Sequence, residues 1–188
     1  MSAIRLNAPL SAEEIGKLRA GDSVLLSGVI YTARDAAHAR LCAALEAGEA
    51  LPVDLRGQTV FYAGPTPTPP GKACGAIGPT TSMRMDAFTP RLLRYGVNAM
   101  IGKGERGEAV RAAIMETGAV YFAAIGGCAA YMAACVEALE VVAYDDLGTE
   151  SIKRLTVRDL PLTVALDAQG GDAYAMGAER YRELCQNP

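Results

Sequence analysis

Apolar and polar positions in this chain repeat with two periods, one typical of strands and one typical of helices. A capping box, Ser11-Ala12-Glu13-Glu14, predicts a short helix that ends before the turn at Gly21-Asp22. Residues 23–32 read SVLLSGVIYT, and this β-branched, apolar run predicts a long and largely buried strand. Asp35 can then cap a predicted helix that ends near Gly48.

A long segment without either period follows a predicted strand at residues 59–63. Residues 64–81 read GPTPTPPGKACGAIGPTT and are dense in Gly, Pro and Thr. Loops of this length inside a compact domain usually carry function or are disordered. We therefore expect a functional site in or next to this segment.

Helix and strand signals alternate beyond this loop. Helices are predicted at residues 86–95, 105–117 and 127–138, with strands at 98–101 and 119–125. Three short predicted strands (141–144, 152–157 and 162–166) and a terminal helix at 174–185 complete the chain. This rhythm predicts an α/β fold with parallel strands, in one domain that covers residues 1–188 without a repeat or a linker.

Composition and charge narrow the class of protein. Hydrophobic residues make up 51% of the 188 residues and charged residues 21%, which is globular composition and excludes a disordered chain. The net charge is −3 with scattered Lys and Arg, so we expect neither nucleic acid nor an anionic membrane surface as a partner. No apolar run approaches the ~18 residues of a membrane span, and no signal-peptide pattern opens the chain, so a cytoplasmic protein is expected.

The cysteines and the single histidine do not form a local metal motif. No Cys-x-x-Cys pair occurs, which favours reduced thiols and predicts no self-contained zinc or iron–sulfur site. Spectator thiols are favoured over nucleophiles, although a role for Cys74 in the polar loop or Cys128 at a predicted helix start stays open. The single histidine is His38, and the five cysteines are Cys42, Cys74, Cys128, Cys135 and Cys185.

The strongest candidate site is the segment 78–86, GPTTSMRMD. Gly-Pro can hold the following amides and hydroxyls in one geometry, and Arg84 supplies a planar fork suited to carboxylate or phosphate. Thr80 and Thr81 are two candidate proton-transfer hydroxyls, which need nearby cations because a hydroxyl is a poor base on its own. The alternative is a Gly-Pro turn whose Thr and Ser residues cap the next helix.

Three further positions at predicted strand ends favour anions. Arg34 lies where a strand opens a helix, and His38 follows four residues later, where packing in the core competes with a catalytic role. Lys103 lies between two glycines and can reach an anion without crowding. The segment 126–130, GGCAA, either presents amides to an anion or lets a helix pack closely on the sheet.

Five blocks of this sequence together resemble one family, and the resemblance covers essentially the whole chain. The family is that of the beta subunit, or carboxy-terminal domain, of the iron–sulfur hydro-lyases that include class I fumarases and L-tartrate dehydratase. It implies a three-layer β/β/α swivelling domain. The blocks are ARDAAH (33–38), AGPTPTPPG (63–71), GPTTSMRMD (78–86), GKG (102–104) and GGCAAY (126–131).

The resemblance also implies roles for the candidate residues. Thr80 would be the base that removes a proton from the substrate carbon, with Thr81 as a substrate contact. Arg34 and Arg84 would hold the substrate carboxylates and Lys103 would add a further cation. Two further candidates, His38 and Asp86, have no assigned role.

The resemblance implies that the site is completed by another chain. The active site would form against an alpha subunit that carries a [4Fe-4S] cluster on three cysteines, and that half is absent from this sequence. The five cysteines here should then not be cluster ligands, and this chain should bind no metal by itself. We expect a hetero-oligomer, or a homodimer when the chain is isolated, acting on a small dicarboxylate.

The expected activity is the reversible hydration of fumarate to L-malate. Ser-Met-Arg-Met, with Met83, resembles L(+)-tartrate dehydratase, which converts tartrate to oxaloacetate, whereas Asp86 and the stretch 157–170 resemble fumarases. A tartrate dehydratase beta subunit therefore stays open as the alternative. So do a non-catalytic dicarboxylate-binding module and a purely structural subunit.

Overall fold

Seven strands form one sheet in the part of the chain that the computed structural model describes, residues 3–186. The strands are β1 (Ile4–Ala8), β2 (Ser23–Thr32), β3 (Thr59–Phe61), β4 (Ala99–Gly102), β5 (Val120–Ala123), β6 (Val136–Ala143) and β7 (Ile152–Leu166). The helices are α1 (Ala12–Lys17), α2 (Asp35–Glu46), α3 (Thr89–Tyr95), α4 (Glu108–Thr117), α5 (Ala129–Ala134) and α6 (Ala173–Gln186). Two 3₁₀ segments cover Ser82–Met85 and Asp145–Glu150.

The two long strands, β2 and β7, join a parallel part of the sheet to an antiparallel part. β2, β3, β4 and β5 pair in parallel in that order, and β1 lies parallel to the first half of β2. β7 runs antiparallel to β2 on one side, and to β6 and then β5 on the other. Because β7 contacts both β2 and β5, the pairing closes on itself.

Alternating side chains on the parallel strands separate two hydrophobic cores. Phe61, Ile101 and Phe122 lie in a core shared with the antiparallel strands. Met100 and Tyr121 point the other way, into a core shared with α2, α3 and α4. Each large side chain that is fully buried contributes about 1.5–3 kcal/mol, so both faces of this layer stabilise the fold. The layers are antiparallel strands, parallel strands and helices, which confirms the three-layer β/β/α fold.

The structure confirms the capping box and most of the predicted elements. The Ser11 hydroxyl accepts the Glu14 N–H at 3.2 Å, and the Glu14 carboxylate accepts the Ser11 N–H at 2.8 Å. The segment 64–81 contains no helix or strand, although Cys74 and Ile77 within it are buried. None of the helices in residues 3–186 is long and apolar enough to cross a membrane.

The structure corrects one predicted helix and two predicted strands, and it adds one strand that was not predicted. The helix predicted at 127–138 ends at Ala134, because β6 begins at Val136 and pairs with β7. The strands predicted at 152–157 and 162–166 are one antiparallel strand that continues through Asp159, a residue with a φ of 49° whose N–H donates to Ser27 Oγ at 3.0 Å. β1 was not predicted, and it is held by pairing with β2 rather than by its own sequence pattern.

We expect Gly28→Ala to destabilise the fold, because Gly28 has a φ of 99° and an added Cβ would lie 2.2 Å from the Ala8 carbonyl oxygen. The predicted loss in the free energy of unfolding is at least about 2 kcal/mol in a urea titration. The control is Gly16→Ala in α1, where an added Cβ meets nothing within 4 Å. Equal stability of the two variants would show that the close approach of β1 and β2 at Gly28 does not require glycine.

Candidate active site

The carboxyl ends of four neighbouring parallel strands lie in one row. Thr32 at the end of β2 is opposite Phe61 of β3, Phe61 is opposite Ile101 of β4, and Gly102 is opposite Ala123 of β5. Ligands of α/β folds commonly bind at the carboxyl ends of parallel strands, because the loops that follow the strands converge there. The segments that follow these four strands carry Arg34, Tyr62, Lys103 and Gly126.

Residues 80–82 extend this edge by pairing with the ends of β3 and β4. The Thr80 N–H donates to the Tyr62 carbonyl at 2.8 Å, and the Lys103 N–H donates to the Thr80 carbonyl at 3.3 Å. The Ser82 N–H donates to the Lys103 carbonyl at 2.9 Å, and Thr81 forms a parallel bridge with Lys103. The two threonines are therefore held beside Lys103 by backbone hydrogen bonds.

Ser82 anchors this loop in the protein interior. Its buried Oγ accepts the Lys103 N–H at 3.0 Å, and the Tyr121 hydroxyl lies 2.9 Å from both Ser82 Oγ and the Gly104 carbonyl. Burial raises the pKa of the Tyr121 phenol, so this network stays protonated and neutral. A Cβ at Gly102 would lie 1.9 Å from Ser82 Oγ, so only glycine permits this close approach.

The Thr80 hydroxyl is oriented by a main-chain carbonyl. It donates to the Tyr62 carbonyl oxygen at 3.0 Å, which leaves the lone pairs of Thr80 Oγ1 free to accept. Thr80 is partly buried, whereas Thr81 is exposed. The two predicted hydroxyls are thus adjacent in space but differ in their contact with solvent.

The predicted arginines come together around one carboxylate. Nη2 of Arg34 lies 3.8 Å and Nη2 of Arg84 lies 3.2 Å from the same atom, Asp35 Oδ2. Glu150 Oε1 lies 3.4 Å from Arg34 Nη2, and Glu150 Oε2 accepts the Ala36 N–H at 2.9 Å. Two cations and two anions form a cluster at the start of α2.

The sequence did not reveal the two carboxylates of this cluster. Asp35 was predicted to cap α2, but the N-cap position is Arg34 and Asp35 is the first helical residue. The feature of the sequence that could have indicated this role for Asp35 is its position directly after Arg34. Glu150 lies 116 positions beyond Arg34 in the numbering, so only the fold brings it there.

Lys103 differs from the arginines because no carboxylate of residues 3–186 lies within 4 Å of its amine. Its side chain extends past Gly126, where an added Cβ would lie 3.6 Å from Lys103 Nζ. The Gly126 segment therefore gives room to the lysine side chain. An unneutralised, partly buried ammonium group favours an anion.

The structure places His38 inside the helix–sheet core. It is buried, its Nδ1 lies 2.9 Å from the Arg34 carbonyl oxygen, and its ring meets the Tyr62 ring edge-on at 5.1 Å. Burial lowers its pKa to about 4, so the imidazole is neutral at pH 7. Because a carbonyl oxygen only accepts, Nδ1 carries the proton and His38 supports the backbone of Arg34.

Asp86 faces a buried arginine that the sequence did not point to. Its carboxylate accepts from Arg106 Nε at 2.7 Å and from the Gly107 N–H at 2.6 Å. The Arg106 side chain is fully buried, and its guanidinium also lies 4.9 Å from the centre of the Tyr121 ring. In this arrangement Asp86 neutralises a charge inside the protein and fixes the loop that leaves β4.

The residues present here do not fit an iron–sulfur cluster. Within residues 3–186 no three side chains of His, Cys, Asp or Glu come close enough to hold a metal ion. Cys42 and Cys74 are buried, and burial raises the pKa of both thiols. Cys128 is exposed where α5 begins. The expectation that the cluster belongs to another chain stays a prediction.

Fold and site together define an α/β domain with a cluster of cationic side chains near the carboxyl ends of its parallel strands. Residues 1–177 match the family described as the fumarase C-terminus, so the chain belongs to this family. The resemblance seen in the motifs is confirmed.

Relatives from three organisms illustrate this membership. "Fumarate hydratase class I, aerobic" of Salmonella typhimurium is 36% identical over 175 residues, which cover 91% of this chain and 30% of the relative. "Fumarate hydratase 1, mitochondrial" of Leishmania major is also 36% identical over 175 residues, covering 91% and 32%. The chain spans about a third of the length of these fumarases.

A third relative is similar over most of its own length. "Putative L(+)-tartrate dehydratase subunit beta" of Methanocaldococcus jannaschii is 37% identical over 171 residues. These residues cover 88% of both chains.

Asp86→Ala is expected to lower the free energy of unfolding by about 3–5 kcal/mol, because it leaves the Arg106 guanidinium buried without its carboxylate. The control, Asp54→Ala, removes an exposed pair with Arg56 and should leave the free energy of unfolding nearly unchanged. Asp86→Ala combined with Arg106→Met should recover part of the loss in urea unfolding. Equal losses in the single and double variants would contradict the buried pair.

The pH dependence of stability should report the buried, neutral His38. The folded-state pKa of about 4 lies below the ordinary 6.5, so between these values the unfolded chain binds the proton and the folded chain does not. Stability should therefore fall as the pH is lowered from 6.5 to 4, by about 3 kcal/mol from this group. In urea titrations across this pH range, the free energy of unfolding of His38→Gln should fall less steeply than that of the wild type. The same pH dependence in both proteins would contradict a buried, neutral His38.

Proposed function

We propose that this chain is the beta subunit of an iron–sulfur-dependent fumarate hydratase, which reversibly hydrates fumarate to L-malate. It contributes the base and the carboxylate-binding residues, and the partner contributes the cluster. The observation that carries the proposal is the backbone pairing of residues 80–82 with Lys103, which fixes the segment of the two threonines against the segment of a cation at the strand ends. Membership of the fumarase C-terminus family supports the reaction class.

The charge of the site suits a substrate with two carboxylates. Arg34, Arg84 and Lys103 supply three positive charges, of which two are shared with Asp35 and Glu150. The guanidinium forks suit one carboxylate and the lysine ammonium adds a further cation. Neutralisation of both carboxylates is needed because proton removal from carbon adds more negative charge to a dianion.

Thr80 is the proposed base. Its hydroxyl is oriented by the Tyr62 carbonyl and lies on the loop that pairs with Lys103. A threonine hydroxyl becomes a base only when nearby positive charge stabilises the alkoxide, which is the contribution we assign to Lys103 and the two arginines. Thr81 lies next to Thr80 and is exposed, as a substrate contact has to be.

The alpha subunit and its [4Fe-4S] cluster belong to this proposal through the resemblance. Such a cluster would supply a Lewis acid for the leaving hydroxyl, and within residues 3–186 no group of three metal-binding side chains could hold one. Three exposed apolar side chains, Met83, Ile125 and Tyr131, occur on the segments that carry Thr81, Gly126 and α5. A partner that covered them would also exclude water from the site, which favours a hetero-oligomer.

L(+)-tartrate dehydratase is the second candidate function. The Methanocaldococcus jannaschii relative, with 88% of its length covered, supports a beta subunit of this kind. Met83 is 60% exposed and directly precedes Arg84 in the chain, where it can contact the one hydroxyl group that tartrate has in addition to those of malate. A third candidate is a non-catalytic dicarboxylate-binding module, which would bind L-malate tightly without any alpha subunit.

The decisive experiment assembles the chain anaerobically with the cluster-bearing subunit and compares the turnover of L-malate, fumarate and L(+)-tartrate. We expect the highest kcat/KM with fumarate and L-malate, and no turnover by the isolated chain. A preference for tartrate would change the assigned substrate and leave the assigned class of reaction unchanged. Tight malate binding to the isolated chain in calorimetry, without turnover by the assembled complex, would favour the binding module.

Thr80→Val should lower kcat of the assembled complex by at least about a hundredfold, because it removes the proposed base and keeps the side-chain shape. Thr80→Ser, which retains a hydroxyl, should lose much less. The matched control, Thr68→Val, lies in the exposed part of the Pro-rich loop and should leave kcat unchanged. Wild-type kcat in Thr80→Val would show that another group removes the proton.

A further inference from the structure

Two buried polar atoms at the arginine cluster lack a hydrogen-bond partner. They are Arg34 Nε, a donor, and Asp35 Oδ2, an acceptor. A buried polar group left unsatisfied costs about 1–3 kcal/mol, so a ligand that supplied the missing partners here would gain binding free energy. Both lie at the candidate active site.

Asp35 Oδ2 lies between the two guanidinium groups without using their hydrogen bonds. It is 3.8 Å from Arg34 Nη2 and 3.2 Å from Arg84 Nη2, yet it accepts no N–H in hydrogen-bond geometry. The carboxylate therefore acts on both arginines through its charge. The N–H groups of the arginines are left available for another carboxylate.

The two arginines depend on Asp35 to different degrees. Arg34 is 21% exposed and has a second anionic neighbour, Glu150, at 3.4 Å. Arg84 is 49% exposed, and within residues 3–186 Asp35 is its one carboxylate neighbour within 4 Å. The two guanidinium groups repel each other because both are positive. Asp35 is therefore the group of this cluster that keeps the Arg84 guanidinium beside that of Arg34.

The helix-capping role expected for Asp35 does not explain this arrangement. Arg34 occupies the N-cap position, and no side chain accepts a backbone N–H of the first turn from there. The Ala36 N–H is instead satisfied by Glu150. The side chain of Asp35 is thus directed to the arginines rather than to the helix backbone.

We propose that Asp35 is a positioning residue, whose carboxylate holds Arg84 next to Arg34 and leaves their N–H donors open to a substrate carboxylate. This inference rests on the proposed function for the identity of the ligand. The position of the arginines themselves does not depend on it. Asp35→Asn removes the charge, keeps the shape and should release Arg84 while Arg34 remains with Glu150.

The first test needs neither partner nor substrate. The Nε–Hε resonances of the arginines are recorded by NMR for the full chain as wild type, Asp35→Asn and Asp146→Asn. Asp35→Asn should shift the Arg84 signal and change its dynamics, whereas Asp146→Asn, which removes the exposed partner of Arg40, should affect Arg40. An unchanged Arg84 signal in Asp35→Asn would overturn the proposal.

The second test uses the assembled complex and L-malate. Asp35→Asn should raise KM by about tenfold with a smaller change in kcat, the size expected for one charge-assisted contact, and Asp146→Asn should match the wild type. In the Arg84→Gln background, Asp35→Asn should have no further effect beyond about twofold, because Arg84 is the group it positions. An unchanged KM, or effects that simply add, would overturn the proposal.

Failure of the proposed function gives a different result. A wild-type complex that turns over neither malate, fumarate nor tartrate would remove the reaction. The NMR comparison would still decide whether Asp35 holds the two arginines together.

Discussion

Backbone pairing between residues 80–82 and the ends of β3 and β4 is the interaction on which the site depends. Thr81 and Lys103 are 22 positions apart, and two backbone hydrogen bonds with Lys103 form one short parallel bridge, while a third joins Thr80 to Tyr62. Ser82 fixes the depth of this pairing, because its hydroxyl fits only against Gly102. Without this contact the two threonines would lie on a free loop, and no fixed geometry would relate them to a cation.

Charge is distributed differently inside the protein and at its surface. Arg106 is fully buried and donates a direct hydrogen bond to the Asp86 carboxylate, as a buried charge requires. Arg34 and Arg84 have carboxylates near them at longer distances, and Lys103 has none within 4 Å in residues 3–186. The satisfied pair supports the fold, while the incompletely satisfied groups are the ones available to an anionic ligand.

Much of the fold followed from local patterns, and the errors occurred where long-range pairing decided. The capping box at Ser11, the buried run of β2 and the alternation of β4, α4 and β5 were predicted because each has a strong local signal. β1, the start of β6 and the continuity of β7 through Asp159 were missed, and in the structure all three are stabilised by pairing with neighbouring strands. In the site, the sequence predicted the cations and hydroxyls, but it did not reveal Asp35 and Glu150 as partners of the arginines or Arg106 as the partner of Asp86.

The sequence by itself determined which chemistry the chain can offer: two adjacent hydroxyls after Gly-Pro, cations at strand ends, and cysteines without ligand spacing. Its motifs also indicated the family to which residues 1–177 belong. Only the tertiary structure decided which of these groups face each other, since residue types and their spacing do not specify contacts across strands. It placed His38 and Asp86 in buried structural contacts and Arg34, Arg84 and Lys103 at the strand ends. The physical reason is that the free energy of a charge depends on its surroundings, which arise only when distant segments pack together.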